Sequence, residues 1–241
     1  MKCIALIPAR AGSTEIRNKN IIKIQYFPLI AWSIFAARLS KEIDDVYVST
    51  DSKSYAETAK MYGAKVPFLR PRSIAGNLSK DIDYIRHFLK YLEKSNINPE
   101  YIILLRPTSP FRDPEKIDEI IKKIKKESKA SSIRTIQKVP FIPEKCVHLN
   151  KNGYYSPIFK PLNLIGIPRQ KCKQAYIFNG YADIFKVKNI NKFSNIYGDR
   201  SLGFVTETVP EIDNKEDLVF LNKFNLKKYI NLKKLIIKII K

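Results

Sequence analysis

Near the start of the chain lie the residues that determine its fold, Ile4-Ala-Leu-Ile-Pro-Ala-Arg-Ala-Gly-Ser-Thr-Glu-Ile-Arg-Asn-Lys-Asn20. An apolar run over residues 3–7 is closed at once by Pro8, a pattern typical of a buried strand in a parallel sheet. The segment after it is small, polar and basic, and backbone N–H groups in such a turn can form an anion-binding concavity. Its spacing matches neither a P-loop nor a dinucleotide-binding fingerprint. These residues alone leave two interpretations open, a phosphate loop of another kind or an ordinary polar connection.

The composition of the chain indicates a globular protein. Its 241 residues, of which 44% are hydrophobic, fit one α/β domain with an insertion and can bury a sizeable core. The cysteines Cys3, Cys146 and Cys172 are too few and too scattered for a disulfide framework or a zinc site. The sequence contains neither a run suited to a membrane span nor a signal-peptide pattern. We therefore expect a cytoplasmic protein with reduced thiols.

The formal net charge of +21 allows nucleic acid, an anionic membrane or anionic small molecules as partners. The lysines are spread along the chain rather than clustered, and no helix-turn-helix, zinc-finger or RNP-type motif is present. We therefore expect no nucleic-acid partner. A positive surface would still attract an anionic substrate.

Strand-like and helix-like apolar patterns alternate along the chain. Strands are predicted over residues 45–50, 65–68, 101–105, 130–137, 182–187 and 201–206. Helices are predicted over residues 28–39, 53–62, 80–94 and 114–126, with a further helix from residue 215. This alternation predicts an α/β fold in which a doubly wound, mostly parallel sheet carries the functional site at the carboxyl ends of its strands.

Residues 139–177 interrupt this alternation with five prolines. Asn152-Gly153 lies there between two short apolar segments and is a hairpin signal. We therefore predict an antiparallel insertion in a single domain that spans residues 1–241. Residues 225–241 form a basic tail that could lie on a membrane surface, and we expect it to continue the C-terminal helix and to pack on the domain or on a partner subunit.

Acidic residues occur at two places where a ligand could bind. Asp51 follows the predicted strand 45–50, where a carboxylate either faces the ligand crevice or caps the next helix. Glu211 and Asp213 stand two residues apart on an extended segment, so their side chains point the same way. Such a pair could bind Mg²⁺, which prefers oxygen ligands. Alternatively, it could belong to a solvated acidic turn that caps the helix from residue 215. The residues alone leave these alternatives open.

Several segments resemble, in the same order, the motifs of one enzyme family. Arg10-x-Gly12-Ser13 followed by Lys19-Asn20 resembles the first motif of the CMP-sialic acid synthetases, the acylneuraminate cytidylyltransferases. The other matching segments are residues 48–51 (V-S-T-D), 62–71 (Y-G-A-K-V-P-F-L-R-P), 104–112 (L-L-R-P-T-S-P-F-R), 168–170 (P-R-Q), 179–180 (N-G) and 211–213 (E-I-D). The resemblance extends from about residue 3 to about residue 221.

The resemblance implies a Rossmann-like nucleotidyltransferase that uses CTP and Mg²⁺ to activate a nonulosonic acid, an acidic nine-carbon sugar such as N-acetylneuraminate or legionaminate. The products are the CMP-sugar and pyrophosphate. It also implies a homodimer, in which residues 139–177 form the dimerisation segment and reach the active site of the partner subunit.

The same resemblance assigns roles to individual residues. The catalytic residues are Arg10, Lys19 and Asp213. The nucleotide-binding residues are Arg10, Gly12, Ser13, Lys19, Asn20 and Arg70. The sugar-binding residues are Arg106, Lys145, Arg169, Gln170, Asn179 and Tyr181. The metal ligands are Glu211 and Asp213.

Four residues depart from the family's pattern. In the first motif Thr14 replaces a lysine, and Glu15 stands where glycine is common. Arg106 replaces a glutamine that faces the sugar, and Glu211 replaces an aspartate. These departures leave open an altered specificity or a weakened enzyme. The alternative functions are a 3-deoxy-manno-octulosonate cytidylyltransferase, whose first loop resembles residues 11–14, and a non-catalytic nucleotide- or nucleic-acid-binding protein.

Overall fold

A computed structural model describes residues 1–159, 166–190, 192 and 195–223 of the chain. The tail predicted over residues 225–241 lies outside the described residues. The strands are β1 (Cys3–Pro8), β2 (Lys23–Ile24), β3 (Phe27–Pro28), β4 (Asp45–Ser49), β5 (Tyr101–Leu104), β6 (Ser132–Lys138), β7 (Val147–Leu149), β8 (Tyr155–Pro157), β9 (Tyr176–Lys186) and β10 (Ser201–Val205).

Six of these strands form the central sheet, in the order β10-β6-β9-β5-β1-β4. β1 pairs in parallel with β4 and β5, and β6 pairs in parallel with β10. β9 is antiparallel to both of its neighbours, β5 and β6. Five strands of this sheet therefore run in one direction, which confirms the predicted mostly parallel α/β sheet.

The interior position of β1 in the sheet explains why its sequence is a continuous apolar run. Successive side chains of a strand point to opposite faces of the sheet. Ala5 and Ile7 belong to the core cluster on one face, whereas Ile4 and Leu6 belong to the cluster on the other. Helices cover both faces, so that residues 3–7 are fully buried.

The helices are α1 (Leu29–Leu39), α2 (Lys53–Met61), α3 (Asp81–Lys94), α4 (Pro114–Lys126) and α5 (Lys215–Lys223). Buried side chains of α1, α2 and α4 pack on one face of the sheet, and those of α3 pack on the other. Ser52 caps the N-terminus of α2 and Asp113 that of α4, and the side chain of each accepts a hydrogen bond from a backbone N–H group of the first turn. Within the described ranges, none of these helices has the length and apolar character that crossing a membrane requires.

Two strand predictions differ from the structure. The strand predicted over residues 65–68 is wrong, because only Lys65 forms a bridge, to Tyr47 in β4. Pro67 has no N–H group with which to continue a ladder. The strand predicted from residue 182 begins earlier, at Tyr176, and its pairing with β6 shifts register between Arg134 and Ile136.

The hairpin predicted within residues 139–177 is present. β7 and β8 pair in an antiparallel ribbon, and Gly153 in its turn has φ +83°, a conformation that favours glycine. Residues 160–165 of the insertion lie outside the described residues. The hairpin exposes large apolar side chains, with Leu149 at 72%, Tyr154 at 73% and Tyr155 at 65%. Such a patch is typical of a surface that contacts another protein.

Arg112 is fully buried and connects three parts of the fold. Its guanidinium donates hydrogen bonds to the carbonyl oxygens of Tyr181 (2.5 Å) and Gly180 (3.1 Å) in β9. It also donates to the carbonyl oxygen of Arg106 (2.7 Å), in the loop after β5, and to Ser33 Oγ (2.9 Å) in α1. Burial lowers the pKa of Arg112 to about 10, so the side chain remains charged at neutral pH.

We expect Arg112→Met to lower the free energy of unfolding by about 3–5 kcal/mol, because methionine leaves the buried oxygen atoms without their donor. Urea unfolding followed by circular dichroism measures this loss. Arg86→Met, at an exposed position on α3, is the matched control and should change stability by less than about 0.5 kcal/mol. Equal losses in the two variants would contradict the role given to Arg112.

Candidate functional site

A cavity of about 250 Å³ lies at the carboxyl edge of the sheet. Its walls are the segments after β1 and β5, residues between α2 and α3, and the first turn of α3. Six residues proposed from the sequence line this one cavity: Arg10, Ser13, Lys19, Asn20, Arg70 and Arg106. Gly12 lies in the same loop as Arg10 and Ser13. We call this cavity the central pocket.

The backbone of the loop after β1 is held from two sides. Asp51 Oδ1 accepts a hydrogen bond from the N–H of Ala11 (2.8 Å), and Asn20 Nδ2 donates to the carbonyl oxygen of Arg10 (3.0 Å). Asp51 therefore fixes the loop and leaves the cap of α2 to Ser52. These contacts set the loop's shape before any ligand binds.

Arg10 connects the loop after β1 with the loop between α2 and α3. Its Nη1 donates to the carbonyl oxygen of Gly12 (2.7 Å) and to Asn77 Oδ1 (2.6 Å). The guanidinium is exposed at this position and lines the central pocket. Asn77 was not identified from the sequence, since a lone asparagine in a loop has no pattern that marks a role.

Lys19 joins the same loop to the acidic segment near the C-terminus. Its Nζ donates to the carbonyl oxygen of Ile212 (2.8 Å), and the N–H of Ile212 donates to the carbonyl oxygen of Thr108 (2.9 Å). A lysine ammonium group has three donors, so this contact leaves two for a ligand. Residues 211–213 are thereby held at the edge of the central pocket.

Arg70 is buried and lies on the wall of the central pocket. Its Nε and Nη2 donate to Ser49 Oγ (3.1 Å) and to the carbonyl oxygen of Ser49 (2.8 Å). Its guanidinium carbon lies 4.5 Å from the centre of the Tyr84 ring. Burial lowers the pKa of Arg70, opposed by the charges of Tyr84, Asp51 and Asp81.

Glu211 is half-buried beside Gly180. Its Oε1 accepts a hydrogen bond from Ser109 Oγ (3.0 Å). Gly180 has φ +61°, and a Cβ atom there would lie 2.5 Å from Glu211 Oε1. The glycine therefore makes room for the carboxylate. Burial raises the pKa of Glu211. The hydrogen bond from Ser109 opposes this rise, and the negative charge of Asp213 adds to it.

The two acidic residues do not cap α5. That cap is formed by Asp217 Oδ2, which accepts from the N–H groups of Asp213 (2.8 Å) and Asn214 (3.0 Å), and by Asn214 Oδ1, which accepts from Asp217. Asp213 is exposed. In the part of the chain that the structure describes, no group of three or more His, Cys, Asp or Glu residues could hold a metal ion. A metal ion held by Glu211 and Asp213 would therefore need further oxygen ligands.

Arg106 lies between two carboxylates. Its Nη1 is 2.6 Å from Asp183 Oδ2, and its Nη2 is 2.6 Å from Asp81 Oδ2. Burial would lower the pKa of Arg106, but the charges of Asp183, Tyr84 and Asp81 outweigh it and raise the pKa. The sequence did not indicate either aspartate, because both are far from Arg106 along the chain.

Two of the predicted sugar-binding residues lie in the core. Asn179 Nδ2 donates to Thr206 Oγ1 (2.6 Å). The Tyr181 hydroxyl accepts from the N–H of Asp113 (2.7 Å) and lies 3.2 Å from its carbonyl oxygen, on the wall of another cavity of about 300 Å³. These contacts join β9 to the end of β10 and to the start of α4.

The remaining predicted sugar-binding residues belong to the insertion. Lys145 ends the 3₁₀ turn Pro143–Lys145 and is exposed. Arg169 and Gln170 lie in the 3₁₀ turn Arg169–Lys171, also exposed. The structure does not bring these three residues into the lining of the central pocket of the same chain.

Comparisons with known proteins identify the family of the chain. The family model described as "Cytidylyltransferase" matches residues 4–178. The chain is 31% identical over 215 residues to the CMP-N,N'-diacetyllegionaminic acid synthase of Legionella pneumophila, covering 88% of this chain and 89% of that protein. It is 41% identical over 121 residues to the N-acylneuraminate cytidylyltransferase of Escherichia coli, covering 50% of this chain and 28% of that protein.

The fold is also that of a solved nucleotidyltransferase. The structure of CMP:2-keto-3-deoxy-manno-octonic acid synthetase complexed with CTP superposes with a TM-score of 0.68 at 15% identity, covering 92% of this chain and 98% of that chain. At this identity the likeness concerns the fold alone. The family model and the Legionella relative, which matches over most of both lengths, lead to one assignment. The chain belongs to the cytidylyltransferase family of CTP-dependent nucleotidyltransferases, in the group of the CMP-sialic acid synthetases.

Proposed function

We propose that this enzyme transfers CMP from CTP to a nonulosonic acid and releases pyrophosphate. The observation that carries the proposal is the central pocket, where the cationic residues Arg10, Lys19 and Arg70 surround a space and Lys19 binds the backbone of the acidic segment 211–213. The relatives named for legionaminic and acylneuraminic acids support an acidic nine-carbon sugar as the acceptor. They do not favour the two alternatives, a 3-deoxy-manno-octulosonate enzyme and a non-catalytic binding protein.

The nucleotide would bind along the loop after β1. Arg10 and Lys19 supply positive charge for the triphosphate, and Ser13 supplies a hydroxyl. Gly12 has no side chain, so a ligand could approach the backbone closely there. Asn20 supports the nucleotide by fixing the carbonyl group of Arg10, and Arg70 presents a rigidly held cation at the pocket wall. Charges that are already in place need little rearrangement when the transition state forms.

Glu211 and Asp213 are suited to hold Mg²⁺ at the edge of the central pocket. Both are oxygen donors, and neither is used to cap α5. The raised pKa of Glu211 reflects burial beside a second negative charge, which a divalent cation would compensate. When bound, the ion would neutralise charge on the α-phosphate and on the leaving pyrophosphate.

The chemical step is a substitution at phosphorus. The oxygen of the sugar's anomeric hydroxyl group forms a bond to the α-phosphorus of CTP, while the bond from that phosphorus to the bridging oxygen breaks. Pyrophosphate leaves with the electron pair, and the hydroxyl proton is lost to water. The residues of this chain contribute by holding the two substrates in line and by neutralising the triphosphate.

We further propose a homodimer in which the insertion places Arg169, Gln170 and Lys145 at the pocket of the partner subunit. The exposed apolar side chains of the insertion support this arrangement, since a second copy would cover them. Arg169 could then bind the sugar carboxylate through two parallel hydrogen bonds. Asn179 and Tyr181 would act on the sugar indirectly, by supporting β9. Because CTP is an intracellular nucleotide, we propose that the enzyme works in the cytoplasm.

We expect pyrophosphate release from CTP and Mg²⁺ with at least one member of a panel of nonulosonic acids. Asp213→Ala and Glu211→Gln should lower kcat by at least about 100-fold, because each removes a charged ligand of the ion. Glu216→Gln, an exposed carboxylate in the first turn of α5, is the control and should retain activity. Absence of CTP binding to the unaltered protein would refute the proposed function.

Gly180→Ala should lower kcat by at least about tenfold, because its Cβ atom would displace the carboxylate of Glu211. Gly153→Ala is a matched control, since Gly153 also has a positive φ but no atom lies within 4 Å of the position of its Cβ. Both variants should lose stability from backbone strain, by about 1 kcal/mol. Similar kcat values in the two variants would show that the position of the Glu211 carboxylate does not affect the reaction.

Arg169→Ala should raise the KM for the sugar by about 10- to 100-fold and leave the KM for CTP unchanged, because it removes a charged hydrogen bond to the sugar carboxylate only. Lys171→Ala, in the same turn, is the control for a general loss of positive charge. Steady-state kinetics with each substrate varied in turn gives both constants. An increase in the KM for CTP alone would place Arg169 with the nucleotide instead.

A further inference from the structure

Asp81 gives the central pocket a feature that phosphate binding does not explain. Among the residues that line this pocket in the described part of the chain, Asp81 is the only one with a carboxylate. The other charged residues there are Arg10, Lys19, Arg70 and Arg106. A negative charge repels phosphate and carboxylate groups, so Asp81 is suited to face an uncharged part of a substrate.

The carboxylate of Asp81 is held in a fixed direction. Its Oδ1 accepts a hydrogen bond from the Tyr84 hydroxyl (2.9 Å), and its Oδ2 pairs with Arg106 Nη2 (2.6 Å). A carboxylate can accept about four hydrogen bonds, so each oxygen retains a free position. The side chain of Asp81 is 41% exposed, which leaves these positions accessible from the pocket.

Arg106 is poorly suited to bind the carboxylate of a sugar. Each of its terminal nitrogens already pairs with a carboxylate, Asp81 on one side and Asp183 on the other. Asp183 is buried and also contacts Arg134 (3.3 Å) and the Tyr197 hydroxyl (3.1 Å), so it is firmly held. A third carboxylate next to Arg106 would meet the repulsion of the first two.

We propose that Asp81 determines substrate specificity by accepting a hydrogen bond from an uncharged N–H or O–H group of a substrate, and that Arg106 is a positioning residue that acts through Asp81. This inference rests on the proposed function. The donor is either the 4-amino group of cytosine or an amide or hydroxyl group of the sugar. Uracil has a carbonyl oxygen in place of the 4-amino group, which the carboxylate would repel, so CTP and UTP are distinguishable probes.

The test is Asp81→Asn in the full chain, because asparagine has nearly the same shape without the charge. We expect one of the two Michaelis constants to rise by about 10- to 100-fold, the range for losing a hydrogen bond to a charged group. A rise for CTP with weaker discrimination against UTP identifies the cytosine amino group as the donor. A rise for N-acetylneuraminate alone, or for the panel sugar that the enzyme uses, identifies the sugar. Glu93→Gln, an exposed carboxylate on the same helix, is the control.

A second variant separates this role from direct binding by Arg106. Arg106→Gln should raise the same Michaelis constant as Asp81→Asn, and Arg106→Lys should recover part of the effect, since lysine keeps the charge beside Asp81. If Arg106 itself bound the sugar carboxylate, Asp81→Asn would free it and lower the KM for the sugar. That result, or unchanged constants in a folded Asp81→Asn protein, would overturn the inference. Absence of turnover in the unaltered enzyme would instead refute the proposed function.

Discussion

The buried guanidinium of Arg112 is the contact on which the geometry of the pocket depends. It binds the carbonyl groups of Gly180 and Tyr181 in β9 and that of Arg106 in the loop after β5. Gly180 in turn leaves the space that Glu211 occupies, and the backbone of Arg106 sets where its side chain can reach. A single residue of the core therefore fixes both the acidic edge and the wall of the central pocket. Its charge is stable there because oxygen atoms surround it on several sides.

The central pocket attracts anions mainly through side chains. In a P-loop the backbone N–H groups cradle the phosphates. Here the N–H of Ala11 is already bound to Asp51, and the carbonyl group of Arg10 is bound to Asn20. The backbone of the loop is therefore held at these two points, while the charged ends of Arg10 and Lys19 remain at the surface of the pocket. This division explains how the first loop can lack the glycine spacing of a P-loop and still present positive charge to the pocket.

The sequence predicted best those features that depend on local pattern. The apolar run over residues 3–7 and the turn at Gly153 are each set by a few adjacent residues. The strand predicted at residues 65–68 was wrong. The prediction relied on apolar composition, but Pro67 has no N–H group with which to continue the pairing beyond Lys65.

Contacts between distant segments could not be predicted from local sequence patterns. The pairing of Arg106 with Asp81 and Asp183 joins residues 25 and 77 positions apart, and nothing near either aspartate indicates the other partner. Of the residues that the family resemblance named, six line one pocket, and Asn179 and Tyr181 lie in the core. A motif identifies residues that accompany a function, but the place of each residue relative to the pocket depends on the whole fold.

The charge cluster of Asp81, Arg106 and Asp183 also constrains how this protein can change over evolutionary time. Replacing Arg106 by a neutral residue leaves Asp183 buried with less compensation and Asp81 without its partner. Replacing either aspartate first leaves Arg106 with an excess of positive charge next to Arg70 and Arg112. Each single step costs stability or pocket geometry, so the three positions are epistatic. A change at one of the three positions is therefore expected to be tolerated best when another of them changes as well.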